Sequence, residues 1–220
     1  MERQIIITLG RRIGAGGLEI AHTLAGRLGI KVYDKELIEI AAEESGLAPD
    51  VFEKTDEVPA SKSRFARFFG QRSSNYVDTR SYSPDSAISE DDLFKTQSDI
   101  IRQIADAGSG IFVGRCADYV LRDKPNVVSV YIEAPRRFCV ERTIENMHVS
   151  EEVAHATIER TDKFRADYYK YYTHGNYWTN PVNYDMTLNS ERVGIDDCVR
   201  IIEQYLELKG LKKSKIVKIS

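Results

Sequence analysis

Apolar residues follow two rhythms along this chain. Ile5–Leu9, Ile111–Val113 and Val127–Ile132 are short, nearly continuous apolar runs, the pattern of strands buried on both faces. Lys31–Tyr33 and Tyr184–Leu188 predict two further short strands. Between these runs the apolar spacing opens to three and four. Ile20, Ala21, Leu24, Ala25 and Leu28 form one helical stripe, which Gly29 is placed to end. Asp34 is a candidate N-cap for a helix through Glu44, closed by Ser45-Gly46. Leu93, Gln97, Ile100, Ile101 and Ile104 predict a helix over Glu90–Ala107, ended by Gly108-Ser109-Gly110. Further helices are expected over Pro135–Met147, Ser150–Tyr172 and Ile195–Lys209. Strand and helix alternate throughout, so the expected fold class is α/β: one domain, 1–220, with a parallel sheet flanked by helices on both faces. Ligands of such sheets bind at the carboxyl ends of the strands.

Two segments break the alternation. Residues 58–90 are rich in Ser, Arg and Asp, and between Ser61 and Arg80 five cations (Lys62, Arg64, Arg67, Arg72, Arg80) face one acid, Asp78. A mobile, substrate-facing segment and a solvated loop with one amphipathic turn both fit that composition. The tail LKKSKIVKIS is basic, and residues 210–220 are expected to be loosely held.

Composition narrows the function. Of the 220 residues, 42% are hydrophobic and 30% charged, which belongs to a globular chain. The formal net charge of −3 gives no general pull toward nucleic acid or anionic membrane, and neither is expected as a partner. No apolar run approaches the roughly 18–20 residues of a spanning helix, and no signal-peptide pattern opens the chain, so the cytoplasm is the expected compartment. Cys116, Cys139 and Cys198 include no CxxC pair, and the four histidines show no paired ligand spacing. No protein metal site is expected.

The chemistry is expected at GRRIGAGG, Gly10 to Gly17, between the first strand and the first helix. Glycines there let backbone N–H groups approach phosphate oxygens, with the positive end of a helix behind them. A plain strand-to-helix turn is the other reading. Against the phosphate-loop pattern GxxxxGK[ST], Arg11 stands at the first glycine, Gly17 at the lysine and Leu18 at the hydroxyl. Arg11 and Arg12 are therefore candidates for the missing cation, because a guanidinium presents a fork of donors to phosphate.

Five blocks in order carry a resemblance: ITLGRRIGAGGLEIA, KVYDKELIEIAAEESGL, IFVGRCADYVL, RADYYKYYTHGNYW and NYDMTLNSERVGIDDCVRII. Together they resemble the cytidylate kinase-like proteins, a divergent branch of the P-loop nucleoside monophosphate kinases, over nearly the whole chain. The resemblance implies a P-loop NTPase-like sheet with a helical lid-like segment at 150–180, ATP with Mg²⁺ as cofactors, and transfer to a nucleoside monophosphate, first of all CMP or dCMP. It implies an ATP-binding loop at Gly14, Ala15, Gly16, Gly17 and Leu18. It places Arg115, in GRCAD, on the monophosphate side beneath the 58–90 segment. Arg160 and Arg165, with Lys163, fall in the lid-like stretch, although their spacing does not register with the usual lid arginines.

Val113 and Cys116 stand where true cytidylate kinases carry acids around the GR pair. Asp118 is near enough in sequence to take that acidic, substrate-side role, or else it caps the helix running to Leu121. Asp34, at the end of the second strand, either orients substrate or a metal-bound water, or serves only as an N-cap. On a helix Arg160 and Lys163 share a face and Arg165 is turned away, which suits a solvated helix as well as a lid. Tyr168, Tyr169, Tyr171 and Tyr172, with Tyr177 and Trp178, can stack on a base, pack the lid, or form a homo-oligomeric contact. Loss of the loop lysine, the hydroxyl and the strand-end acids also fits a nucleotide-binding regulatory protein with little transfer. A kinase for another small acceptor is the remaining alternative.

Overall fold

The computed structural model describes residues 4–34 and 90–212. The expected helix after Asp34, the 58–90 segment except its last residue, and the tail from 213 lie outside the described residues. Strand β1 (Ile6–Arg11) leads through the glycine turn into α1 (Gly17–Leu28) and then β2 (Lys31–Tyr33). Helix α2 (Glu90–Ala107) precedes β3 (Gly110–Val113), the short α3 (Ala117–Val120) and β4 (Val127–Glu133). Helices α4 (Arg136–Met147) and α5 (Glu151–Tyr172) follow, and a 3-10 turn at Pro181–Asn183 leads to β5 (Met186–Asn189). The short α6 (Ser190–Val193) and α7 (Ile195–Leu208) close the order.

The five strands of the described residues are all parallel, in the order β2-β3-β1-β4-β5. Central β1 is held on both sides, with Leu9 opposite Val113 and Arg11 opposite Ile132. Its continuous apolar run follows from burial on both faces. Ile7 and Leu9 enter the core under α1, α4, α5 and α7, while Ile6 enters the second core under α2 and α3. β1 runs two residues past the expected end, so Gly10 and Arg11 are strand residues. At Gly10 a Cβ would stand 2.9 Å from the ring of Tyr131, so the glycine admits the aromatic cluster of Tyr131, Trp178 and Tyr184.

Helix α5 carries the lid-like segment. Ser150 caps it by accepting from the Val153 N–H, with Glu151 and Glu152 in the first turn. Its buried residues Ala154, Ile158, Asp162 and Tyr169 share one stripe at helical spacing, and the three-residue step from Asp162 puts Arg165 on that stripe too. Two charged positions thus lie on the inward face. Beyond α7, Leu211 is buried against the core, so the chain is held through that residue.

Candidate phosphate site

The loop is shaped by two glycines and three long-range hydrogen bonds. Gly14 and Gly16 have φ of 77° and 78°, the left-handed region that favours glycine. A Cβ on Gly14 would also stand 2.8 Å from Cα of Cys139, so only glycine lets the loop lie on the α4 backbone. The Ser190 hydroxyl donates to the Ala15 carbonyl at 2.7 Å, and the Ile13 N–H donates to Asp162 Oδ1 at 3.1 Å. The Arg12 N–H donates to the Ile132 carbonyl at 3.1 Å. The N–H groups of Gly17 and Leu18 open α1, where a helix has no carbonyl of its own to offer them. Helix dipole and open amides together favour an anion there.

The lysine position explains its own vacancy. A Cβ on Gly17 would stand 2.5 Å from Cβ and 2.9 Å from Cγ of Arg11. The stem of Arg11 fills the space where a lysine stem would start. From there the side chain crosses the end of the sheet, and its guanidinium Nη1 lies against Gly114. A glycine at 17 is the condition for that path of the Arg11 side chain.

Around Arg11 the strand ends supply further charge. Gly114, Arg115 and Cys116 have φ of 79°, 56° and 54°, three successive left-handed residues of which two carry side chains. Such strain persists only where surrounding structure enforces it, and it concentrates at functional sites. Arg165 donates to the Arg11 carbonyl at 3.0 Å and lies 3.8 Å from Asp162, which also pairs with Arg12 at 3.7 Å. Burial first, then Arg165 and Arg115, lower the Arg11 guanidinium to about 9, with Asp34 and Asp162 opposing. It remains charged at neutral pH. Burial likewise lowers Arg165 and raises the carboxyl of Asp162, which the Ile13 N–H, Arg165 and Arg12 pull back. A crowd of desolvated guanidiniums with few carboxylates is built to receive anionic oxygens.

The remaining candidates separate. Asp34 directly follows β2 at the same sheet edge and acts on Arg11 electrostatically. Asp118, in the first turn of α3, accepts from the Tyr169 hydroxyl at 2.6 Å and so joins α3 to the lid helix. Arg160 is exposed on α5, and exposed Lys163 pairs with Asp167 at 2.7 Å. Arg165 is thus the residue of the three that reaches the loop. Leu18 is 44% exposed beside the glycines. Asp162 and Ser190 were not legible as site residues, although Asp162 did carry one signal: a carboxylate on a helix's inward stripe.

The family profile of the cytidylate kinase-like proteins matches residues 6–192. The chain belongs to that family. An uncharacterized protein of Eubacterium ventriosum is similar at 26% identity and TM-score 0.68, over 93% of this chain and 99% of its own. Two shikimate kinases share the fold: that of Acinetobacter baumannii, solved with shikimate, at 15% identity and TM-score 0.50, and that of Bacteroides thetaiotaomicron at 14% and 0.51. The first covers 96% of this chain and 97% of its own, the second 93% and 99%. No curated protein matches significantly. The family supports phosphoryl transfer as the general chemistry of this chain. Among the described residues, no helix is long and apolar enough to cross a membrane.

Proposed function

We propose that this chain transfers the γ-phosphoryl group of ATP to a nucleoside monophosphate, with CMP or dCMP as the first acceptors to test. The observation that carries the reading is the path of Arg11 through the space above Gly17 toward Gly114 and Arg115. It supplies a cation between a triphosphate on the loop and a monophosphate near Arg115. An acceptor phosphate oxygen attacks the γ-phosphorus, the bond to the β–γ bridging oxygen breaks, and ADP leaves. This chemistry needs alignment and charge neutralisation more than covalent help. Amides of Gly14–Leu18 hold the triphosphate, Arg11 and Arg165 neutralise charge spreading over the oxygens, and Arg115 holds the acceptor phosphate. Arg12 keeps Asp162 against the loop. Mg²⁺, when bound, neutralises phosphate oxygens. Asp34 is the strand-end carboxylate that would orient one of the several waters such an ion keeps beside the substrate phosphates.

A second reading, a nucleotide-binding protein with little transfer, has its own support. Leu18 offers no hydroxyl, and Asp162 already engages one loop amide. A coupled ADP-release assay with Mg-ATP, a panel of nucleoside monophosphates and an acceptor-free control separates the two. Acceptor-dependent release, lost in Arg11→Ala, is the expected result. ATP binding without release from any acceptor selects the second reading.

A further inference from the structure

One buried amide carries a donor that no described residue uses. Helix α2 reaches β3 through a two-residue turn, so it runs back along the sheet and its first half lies near the strands' carboxyl ends. Gln97 is in that half and is 1% exposed. Its Oε1 accepts from the Tyr168 hydroxyl at 3.2 Å, while its Nε2 has no hydrogen-bond partner among the described residues. Buried donors are almost always paired, because an unpaired one loses its water without compensation. By contrast, Ser98 on the same helix satisfies its hydroxyl on the Phe94 carbonyl at 2.7 Å. An apolar residue at 97 would pack without that cost, so the unused donor calls for a ligand.

Tyr168 ties this amide to the phosphate site. The Arg115 guanidinium stands 5.8 Å from the centre of the Tyr168 ring. Phe94, one turn before Gln97, stacks on Tyr172 at 4.0 Å and meets Tyr168 edge-on at 6.1 Å. A cation suited to a phosphate therefore lies one side chain away from an amide donor set among aromatic rings. Because the Tyr168 hydroxyl occupies Oε1, what Gln97 offers is its N–H.

We propose that Gln97 is a specificity-determining residue for the acceptor: its Nε2 donates to a lone-pair oxygen or ring nitrogen of a nucleoside monophosphate whose phosphate is held at Arg115. The inference rests on the phosphoryl-transfer reading above. A pyrimidine with adjacent carbonyl oxygen and unprotonated ring nitrogen, as in cytosine, presents two acceptors to such a group. A ring N–H presented at that point is rejected.

The test is calorimetric titration of the full chain with CMP, and separately with Mg-ATP, for the parent, Gln97→Met and Gln97→Glu. The first variant deletes the donor, and the second replaces it with an acceptor of the same shape. CMP affinity falls about tenfold or more in both, as expected for a lost directional contact. ATP affinity moves less than twofold. CMP affinity within twofold of the parent in both variants overturns the assignment. So does a parent chain that binds none of CMP, UMP, AMP and GMP. CMP binding without ADP release removes the kinase reading and leaves Gln97 judged on the titrations alone.

Discussion

The hydroxyl of Ser190 donates to the carbonyl of Ala15 at 2.7 Å, joining the end of β5 to the glycine loop across 175 residues of chain. In a trans peptide the C=O and the next N–H point in opposite directions. Holding the Ala15 carbonyl inward therefore turns the Gly16 N–H away from Ser190, toward the mouth of the loop. Ser190→Ala leaves that carbonyl without its side-chain donor at a buried site, a loss of about 1–3 kcal/mol. The expected result is a lower melting temperature together with about tenfold weaker Mg-ATP binding. A lower melting temperature with unchanged ATP affinity makes Ser190 a support of the fold only.

The exchange between Arg11 and Gly17 predicts an asymmetric mutational pattern. Gly17→Lys alone places a side chain 2.5 Å from Arg11 Cβ and disrupts the loop, despite restoring the ordinary motif. Arg11→Gly alone removes the cation. The double variant Arg11→Gly/Gly17→Lys restores the ordinary arrangement and recovers ATP binding relative to either single change. Titrating ATP into all four proteins measures the coupling, expected at about 1–3 kcal/mol in favour of the pair. Additive losses show that the two positions do not share one space.

Asp118 gives stability a pH dependence of the opposite kind to a surface salt bridge. Burial raises its carboxyl above the ordinary value of 3.8, against the lowering effect of the Tyr169 hydroxyl and the amides of Asp118 and Tyr119. The native state then binds this proton more tightly than the unfolded chain. Its contribution is present below 3.8 and is lost as pH rises through the raised value. Asp118→Asn keeps an oxygen for Tyr169 and has no carboxylate to desolvate. At pH 7 its melting temperature is equal to or above the parent's, and the difference shrinks as pH falls toward about 4. A variant less stable than the parent by the same margin at both pH values shows that the ionised carboxylate is favourable where it stands.

Sequence by itself determined the alternation of elements, the parallel sheet and the place of the loop. Each follows from local chemistry: doubly buried strands must be continuously apolar, helices must repeat at three and four, and left-handed turns select glycine. The helix over Glu90–Ala107 was legible to the residue, and Gln97 already stood on its apolar stripe. Only the tertiary structure separated Arg11 from Arg12, because the two are equivalent in one dimension. The pleat of β1 puts Arg11 on the side of the sheet where Ile7 and Leu9 pack under α1. Arg11 thereby falls above Gly17, and Arg12 falls beside Asp162. In the lid helix, spacing grouped Arg160 with Lys163, but it was packing of Ala154 and Ile158 into the core that turned Asp162 and Arg165 inward. Ser190 reaches Ala15 only because β4 brings β5 alongside the loop, a contact between residues far apart in the chain. Periodicity constrains what each segment buries, whereas the partner it meets depends on how the whole sheet is ordered.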